Sequence, residues 1–282
     1  MAKPIGPTIP RWQLGEQLQR LRIAAGYSRQ QTAQRLRCSV SKIEKVEGGQ
    51  VRAKLAELET MLAEYGVPED EWPPLLELQR LGATRGWWSK FGRLPLPFTE
   101  FLGLEMAAET IRTFELAVVP GLFQTEPYAR ALTESDTVGM TPEWLEREVG
   151  LRMDRQKQIL SDDPPQILLV LDEAALRRQI GGPKVMRDQL AHLVDLAKTV
   201  HLQVVPFEHG GYPGIAGRFV VFDFPEDLHS PVVYVESQAG NLYMEKGIDI
   251  RRCSLAFDHL LGAALSRPKS VALIKDIARH LE

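Results

Sequence analysis

The sequence predicts a multidomain chain: an all-α head over residues 13–67, preceded by an arm at 1–12, and an α+β domain with a short-stranded sheet over 68–282. Three observations predict it. Apolar residues recur at helical spacing in four short segments between Leu14 and Val67, separated by glycine and serine punctuation. Runs rich in Val, Ile and Leu that read as strands come only after residue 110. The charge also divides: residues 1–66 hold 11 Lys and Arg against 6 Asp and Glu, net +5, and the remainder holds 23 against 31, net −8.

The first ten residues contain three prolines and a glycine and predict a loose arm. A first helix is expected from about Gln13 to Ala25, stopped by Gly26. Ser28 opens a second in an S-x-x-Q capping box with Gln31, ending near Leu36. Ser39 caps a third, Val40 to about Val46, with Ile43 and Val46 inward, closed by Gly48 and Gly49. A fourth covers Leu55 to Tyr65. Two short serine-capped helices separated by a few residues form the pattern of a helix-turn-helix unit.

Beyond Pro68, helices are expected at about 69–85, 98–109, 124–135, 142–160 and 183–199, and again from about Ile248 with a break near Arg267 and Pro268. Strands are expected at about 111–119, 167–171, 200–206, 219–224 and 232–236. The longest apolar runs fall far short of the ~20 residues of a membrane span, and the first residues lack the apolar core of a signal peptide. With two cysteines, Cys38 and Cys253, and no disulfide framework, a cytoplasmic, nucleoid-associated protein is expected.

The common nucleotide-binding, zinc-protease and serine-hydrolase motifs are all missing, so no enzyme, cofactor or metal is expected. His201, His209 and His229 have no Cys or acidic neighbour at ligand spacing and read as structural. The loop from His209 to Gly214 lacks the helix with Lys and Ser or Thr that a phosphate cradle needs, and reads as a flexible strand connection. Gly121, Gln124 and Thr125 offer backbone amides and polar groups at a helix start. They predict either an effector or partner site or simply a helix packed on the sheet. Trp87 and Trp88, with Phe91, could cover a pocket, a dimer seam or a partner surface, or lie in the core.

Leu18, Leu21, Arg22, Gly26, Ser28, Ala33, Leu36, Ser39, Ile43, Glu47 and the closing stretch at 62–67 resemble the Xre/Cro-type helix-turn-helix family. The resemblance implies that Arg22 pairs with Glu47 as a structural brace. It also marks two departures: Arg37 stands where the family usually has glycine at the tight turn, and Thr32 where it has leucine. A non-glycine residue in a left-handed turn costs on the order of 1 kcal/mol, so a slightly different turn is expected. Residues 85–88, 103–105, 118–125, 128–131 and 232–236 resemble the domain of unknown function that follows the helix-turn-helix in many actinobacterial regulators. That resemblance implies an antitoxin-like transcription factor with a small companion protein encoded nearby.

The N-terminal turn of the third helix is the part that enters the major groove, so Val40, Ser41, Glu44 and Lys45 are the base-contact candidates. Arg29, Gln30, Lys42, Arg52 and Lys54 are the phosphate candidates. The expectation is a sequence-specific regulator that binds an inverted-repeat operator in double-stranded DNA as a homodimer. Its larger domain would dimerise and sense a small protein or ligand. The alternative is an antitoxin-like interaction module whose DNA binding is secondary.

Overall fold

A computed structural model describes residues 5–136, 141–161, 163–226, 228–237 and 239–281. It falls into two compact units, one of residues up to Ala107 together with Leu228 and His229, the other of Ala108–Glu226 and the residues from Ser230 onward.

The first unit is helical: α1 (Thr8–Ala24), α2 (Arg29–Arg35), α3 (Val40–Glu47), α4 (Leu55–Glu64), α5 (Trp72–Gly82) and α6 (Leu96–Ala107). The first helix begins at Thr8, so part of the expected arm is helical, and residues 1–4 lie outside the described ones. Pro10 does not oppose this start, because an N–H in the first turn has no partner within the helix. Thr8 and Ile9 are buried. Leu14, Leu18, Ala33, Ile43, Val46, Leu58 and Leu62 form one core that extends to Leu75 of α5. The expected 69–85 helix is a 3-10 turn at Glu69–Glu71 followed by α5, whose Pro73 and Pro74 occupy its first turn.

The first four helices end in the same way. The left-handed residue after each donates three residues back, and the next residue donates five residues back, to Arg22, Ala33, Lys45 and Leu62 in turn. Gly26, Gly49 and Gly66 hold the left-handed position in three of them. At the end of α2 it is held by Arg37, with φ +50°.

The second unit is built on a six-stranded mixed sheet of order β3-β2-β1-β4-β5-β6. In chain order its elements are β1 (Thr110–Glu115), α7 (Glu126–Asp136), α8 (Pro142–Ile159), β2 (Gln166–Asp172), α9 (Glu173–Arg177), α10 (Gly182–Leu196), β3 (His201–Val205), β4 (Phe219–Asp223), β5 (Val232–Ser237), β6 (Gly240–Met244), α11 (Gly247–Ala263) and α12 (Arg267–Arg279). The strands β1, β2 and β3 run parallel and are joined by helices, whereas β4, β5 and β6 form an antiparallel meander. Phe257 and Leu260 of α11 pack with Phe114, Val170, Val221 and Val233 on one face of the sheet.

Three differences from the sequence reading have identifiable causes. The first strand stops at Glu115 because the Val119 N–H is taken by the Tyr128 hydroxyl at 3.1 Å and not by a neighbouring strand. The edge strand β6 opens on Gly240 and Asn241 and so lacks the apolar run that marks its neighbour β5. In the His209–Gly214 loop, Tyr212 is buried in the sheet core and donates its hydroxyl proton to Asp172, which anchors the loop at that residue.

Candidate nucleic-acid interface

Helix α3 is positioned by a cap, a close approach and an ion-pair cluster. The Ser39 hydroxyl accepts the Lys42 N–H at 3.2 Å, and in α2 the Ser28 hydroxyl accepts the Gln31 N–H at 3.2 Å while Gln31 Oε1 accepts the Ser28 N–H at 2.8 Å. Helix α1 crosses the end of α3 at Gly15, where a Cβ would lie 2.4 Å from the Glu47 carbonyl oxygen and 2.7 Å from that of Val46. Any side chain at position 15 would push α3 outward.

The cluster is centred on Glu47, which is buried. Arg22 Nε donates to its Oε1 at 2.5 Å and Arg22 Nη2 to its Oε2 at 3.1 Å, while Arg29 Nε donates to Oε2 at 2.8 Å. Arg22 also donates to the Tyr27 carbonyl at 2.8 Å. The hydrogen bond to Glu47 raises the pKa of the Arg22 guanidinium above its ordinary value despite burial. At the Thr32 departure the hydroxyl lies 3.2 Å from the Tyr65 hydroxyl, so a buried polar group satisfies another where an aliphatic side chain was expected.

With Ile43 and Val46 in the core, Val40, Ser41, Glu44 and Lys45 are all exposed on the opposite side of α3. The phosphate candidates divide. Arg29 is held by Glu47 and lies 3.9 Å from Glu44, and Lys42 is paired with Glu57 of α4. Gln30, Arg52 and Lys54 are exposed, and neither Arg52 nor Lys54 forms an ion pair with a described residue.

The effector candidates do not come together in one unit. Trp87 and Trp88 lie in the first, in a 3-10 turn at Trp87–Phe91, with Trp88 buried against Gly86 and edge-on to Trp87 at 5.8 Å. Gly121, Gln124 and Thr125 lie in the second, where their polar groups are already engaged. Gln124 is buried, donates to the Val119 carbonyl at 2.6 Å and accepts from Arg152 at 2.7 Å. The Thr125 N–H goes to Gln189 Oε1 at 2.7 Å, and the Gly121 carbonyl accepts from Gln156 at 2.7 Å. Of the amides at this helix start, that of Thr125 is therefore tied to α10, while contacts from α8 go to the Gly121 carbonyl and the Gln124 side chain. His201 pairs with Gln203 at 2.8 Å, and the His229 ring lies 5.8 Å from that of Trp12. Sequence reasoning missed Gly15, for which a glycine on the inner side of an otherwise good helix was the available signal.

Residues 13–75 match the family model of a helix-turn-helix domain, and residues 98–276 match that of a domain of unknown function, DUF5753. The chain belongs to the DUF5753 family. Comparison with curated proteins and with solved structures gives no match. In this DUF5753 protein the helix-turn-helix domain is the DNA-binding part, and the chain is a DNA-binding transcription regulator. No helix among the described residues is long and apolar enough to cross a membrane.

Proposed function

We propose that this regulator reads a specific operator through α3. Ser41 and Lys45 address base edges, Val40 meets a thymine methyl, and Glu44 takes a cytosine amino group. Gln30, Arg52 and Lys54 hold the backbone, and Arg29 and Lys42 join them by exchanging their carboxylate partners for phosphate. The observation that carries the reading is the exposed face of a helix fixed on its other side by Ile43, Val46 and the Arg22–Glu47 pair. The larger domain, which has no catalytic role in this reading, dimerises and senses a small protein or ligand, and two heads then meet an inverted repeat about one helical turn apart.

Binding-site sequencing with the wild-type protein and with Ser41→Ala and Lys45→Ala tests it. Each substitution is expected to relax the sequence preference at one position by about 1–3 kcal/mol. Unchanged preferences in both would remove α3 as the reader. An antitoxin-like interaction module with secondary DNA binding would keep its phenotype in the same variants.

A further inference from the structure

Arg11 of α1 and Arg52 of the α3–α4 connection line a small, open cleft together with Val46, Val51, Gln79 and Gly82. No acidic residue lines it, and neither arginine forms an ion pair with a described residue. Arg11 is held in place by α5. Its stem lies so close to Gly82 that a Cβ there would sit 2.9 Å from Arg11 Cγ, and its Nε donates to the Gly82 carbonyl at 2.6 Å. One N–H of the fork is thereby used, and the others make no hydrogen bond with a described residue. Burial first, and the positive charge of Arg52 second, lower the pKa of Arg11 from its ordinary value. Two arginines on one cleft, one of them anchored and partly dehydrated, concentrate positive charge that an entering anion would offset. A tetrahedral oxyanion with several acceptor oxygens matches their donors.

We infer that the Arg11–Arg52 cleft binds a phosphate group. The phosphate could belong to the backbone of duplex DNA or to a free or small-molecule phosphate. Only the DNA source rests on the reading of α3 as a groove-reading helix, and the Ser41 and Lys45 variants test that separately.

The test uses the full chain. Thermal unfolding is followed in sodium phosphate and in sodium chloride of equal ionic strength, for the wild type, Arg52→Gln and Arg11→Lys, the last keeping the charge but losing the fork. Phosphate is expected to raise the wild-type midpoint, with an apparent affinity about tenfold weaker in each variant, the loss expected of one charge-assisted hydrogen bond. Binding to a short mixed-sequence duplex is then measured against salt. A fall of about one in the slope of log K against log salt in Arg52→Gln, together with weaker duplex binding at an unchanged slope in the charge-keeping Arg11→Lys, assigns the site to a DNA phosphate. Loss of the phosphate effect with an unchanged slope assigns it to a free anion. An equal phosphate effect in all three proteins with unchanged slopes overturns the inference, and so does a slope change in Arg52→Gln with no loss of phosphate or duplex affinity in Arg11→Lys. If Arg11→Lys fails to fold, the phosphate titration of Arg52→Gln, whose side chain is exposed, decides.

Discussion

Arg22 and Glu47 form a two-point ion pair between α1 and the last turn of α3, with Nε to Oε1 at 2.5 Å and Nη2 to Oε2 at 3.1 Å, and both residues are buried. Removing one partner of a buried pair leaves the other charged, dehydrated and uncompensated, which costs roughly 3–5 kcal/mol. Glu47→Gln is therefore expected to destabilise the first unit by about that amount. Arg29→Gln, which removes a half-exposed arginine from the same carboxylate, should cost under about 1 kcal/mol. Denaturant unfolding of the two variants checks the contrast, and equal costs would show that Glu47 does not depend on Arg22.

Arg37 closes α2 with φ +50°, in a position that Gly26, Gly49 and Gly66 hold at the ends of α1, α3 and α4. Its side chain is exposed, so substitution removes no packing. The strain of a side chain in the left-handed region exceeds the entropy glycine loses on folding. Arg37→Gly is expected to stabilise the first unit by up to about 1 kcal/mol, read as a higher denaturant midpoint with unchanged m-value. A lower midpoint would mean that Arg37 makes a compensating interaction.

Gly15 sets how closely α1 approaches α3. Alanine there gains about 1 kcal/mol of helix propensity, but its methyl would sit 2.4 Å from the Glu47 carbonyl oxygen, and neither backbone can move freely. Overpacking of this kind costs about 1–3 kcal/mol. Gly15→Ala is expected to lose stability and, by displacing α3, to weaken DNA binding without touching a groove-facing residue. A stabilised variant with unaltered binding would contradict this close approach.

The head was legible because its rules are local. Serine caps, the Ser28–Gln31 box and the glycine stops act within a few residues, and α2, α3 and α4 lie where those signals put them. Arg37 could also be read as the odd residue of a tight turn. What was not legible depends on residues distant in sequence. That the Thr125 amide is occupied follows from Gln189, 64 positions away. The end of β1 follows from Tyr128, and Arg11 gains its place from a glycine 71 positions on. The exposed face of α3 was predictable from period alone, whereas the partners that hold Arg29 and Lys42 were not, because long side chains choose among carboxylates only once the helices have met.

Glu115 ends β1 with its carboxylate buried and accepts a hydrogen bond from Arg218 at 3.1 Å, an arginine that also serves Glu236. Burial pushes the Glu115 pKa up to about 7, against the opposing pull of Arg218 and Arg155. Below its ordinary value of 4.5 the carboxyl is protonated in the folded and the unfolded chain alike. Between about 4.5 and about 7 the folded chain keeps a proton that the unfolded chain has released, so stability falls as pH rises through this window and levels off above it. The total is on the order of 3 kcal/mol, since each pKa unit is worth about 1.4 kcal/mol. Glu115→Gln holds the neutral form at every pH. Its stability relative to wild type is therefore expected to be near zero at about pH 5 and clearly positive at about pH 8, read from hydrogen exchange of the β1 amides. Taking the difference between the two proteins cancels other groups in the window, such as His192, whose pKa burial lowers and which therefore contributes with the opposite sign. A difference independent of pH would mean that Arg218 keeps Glu115 ionised throughout.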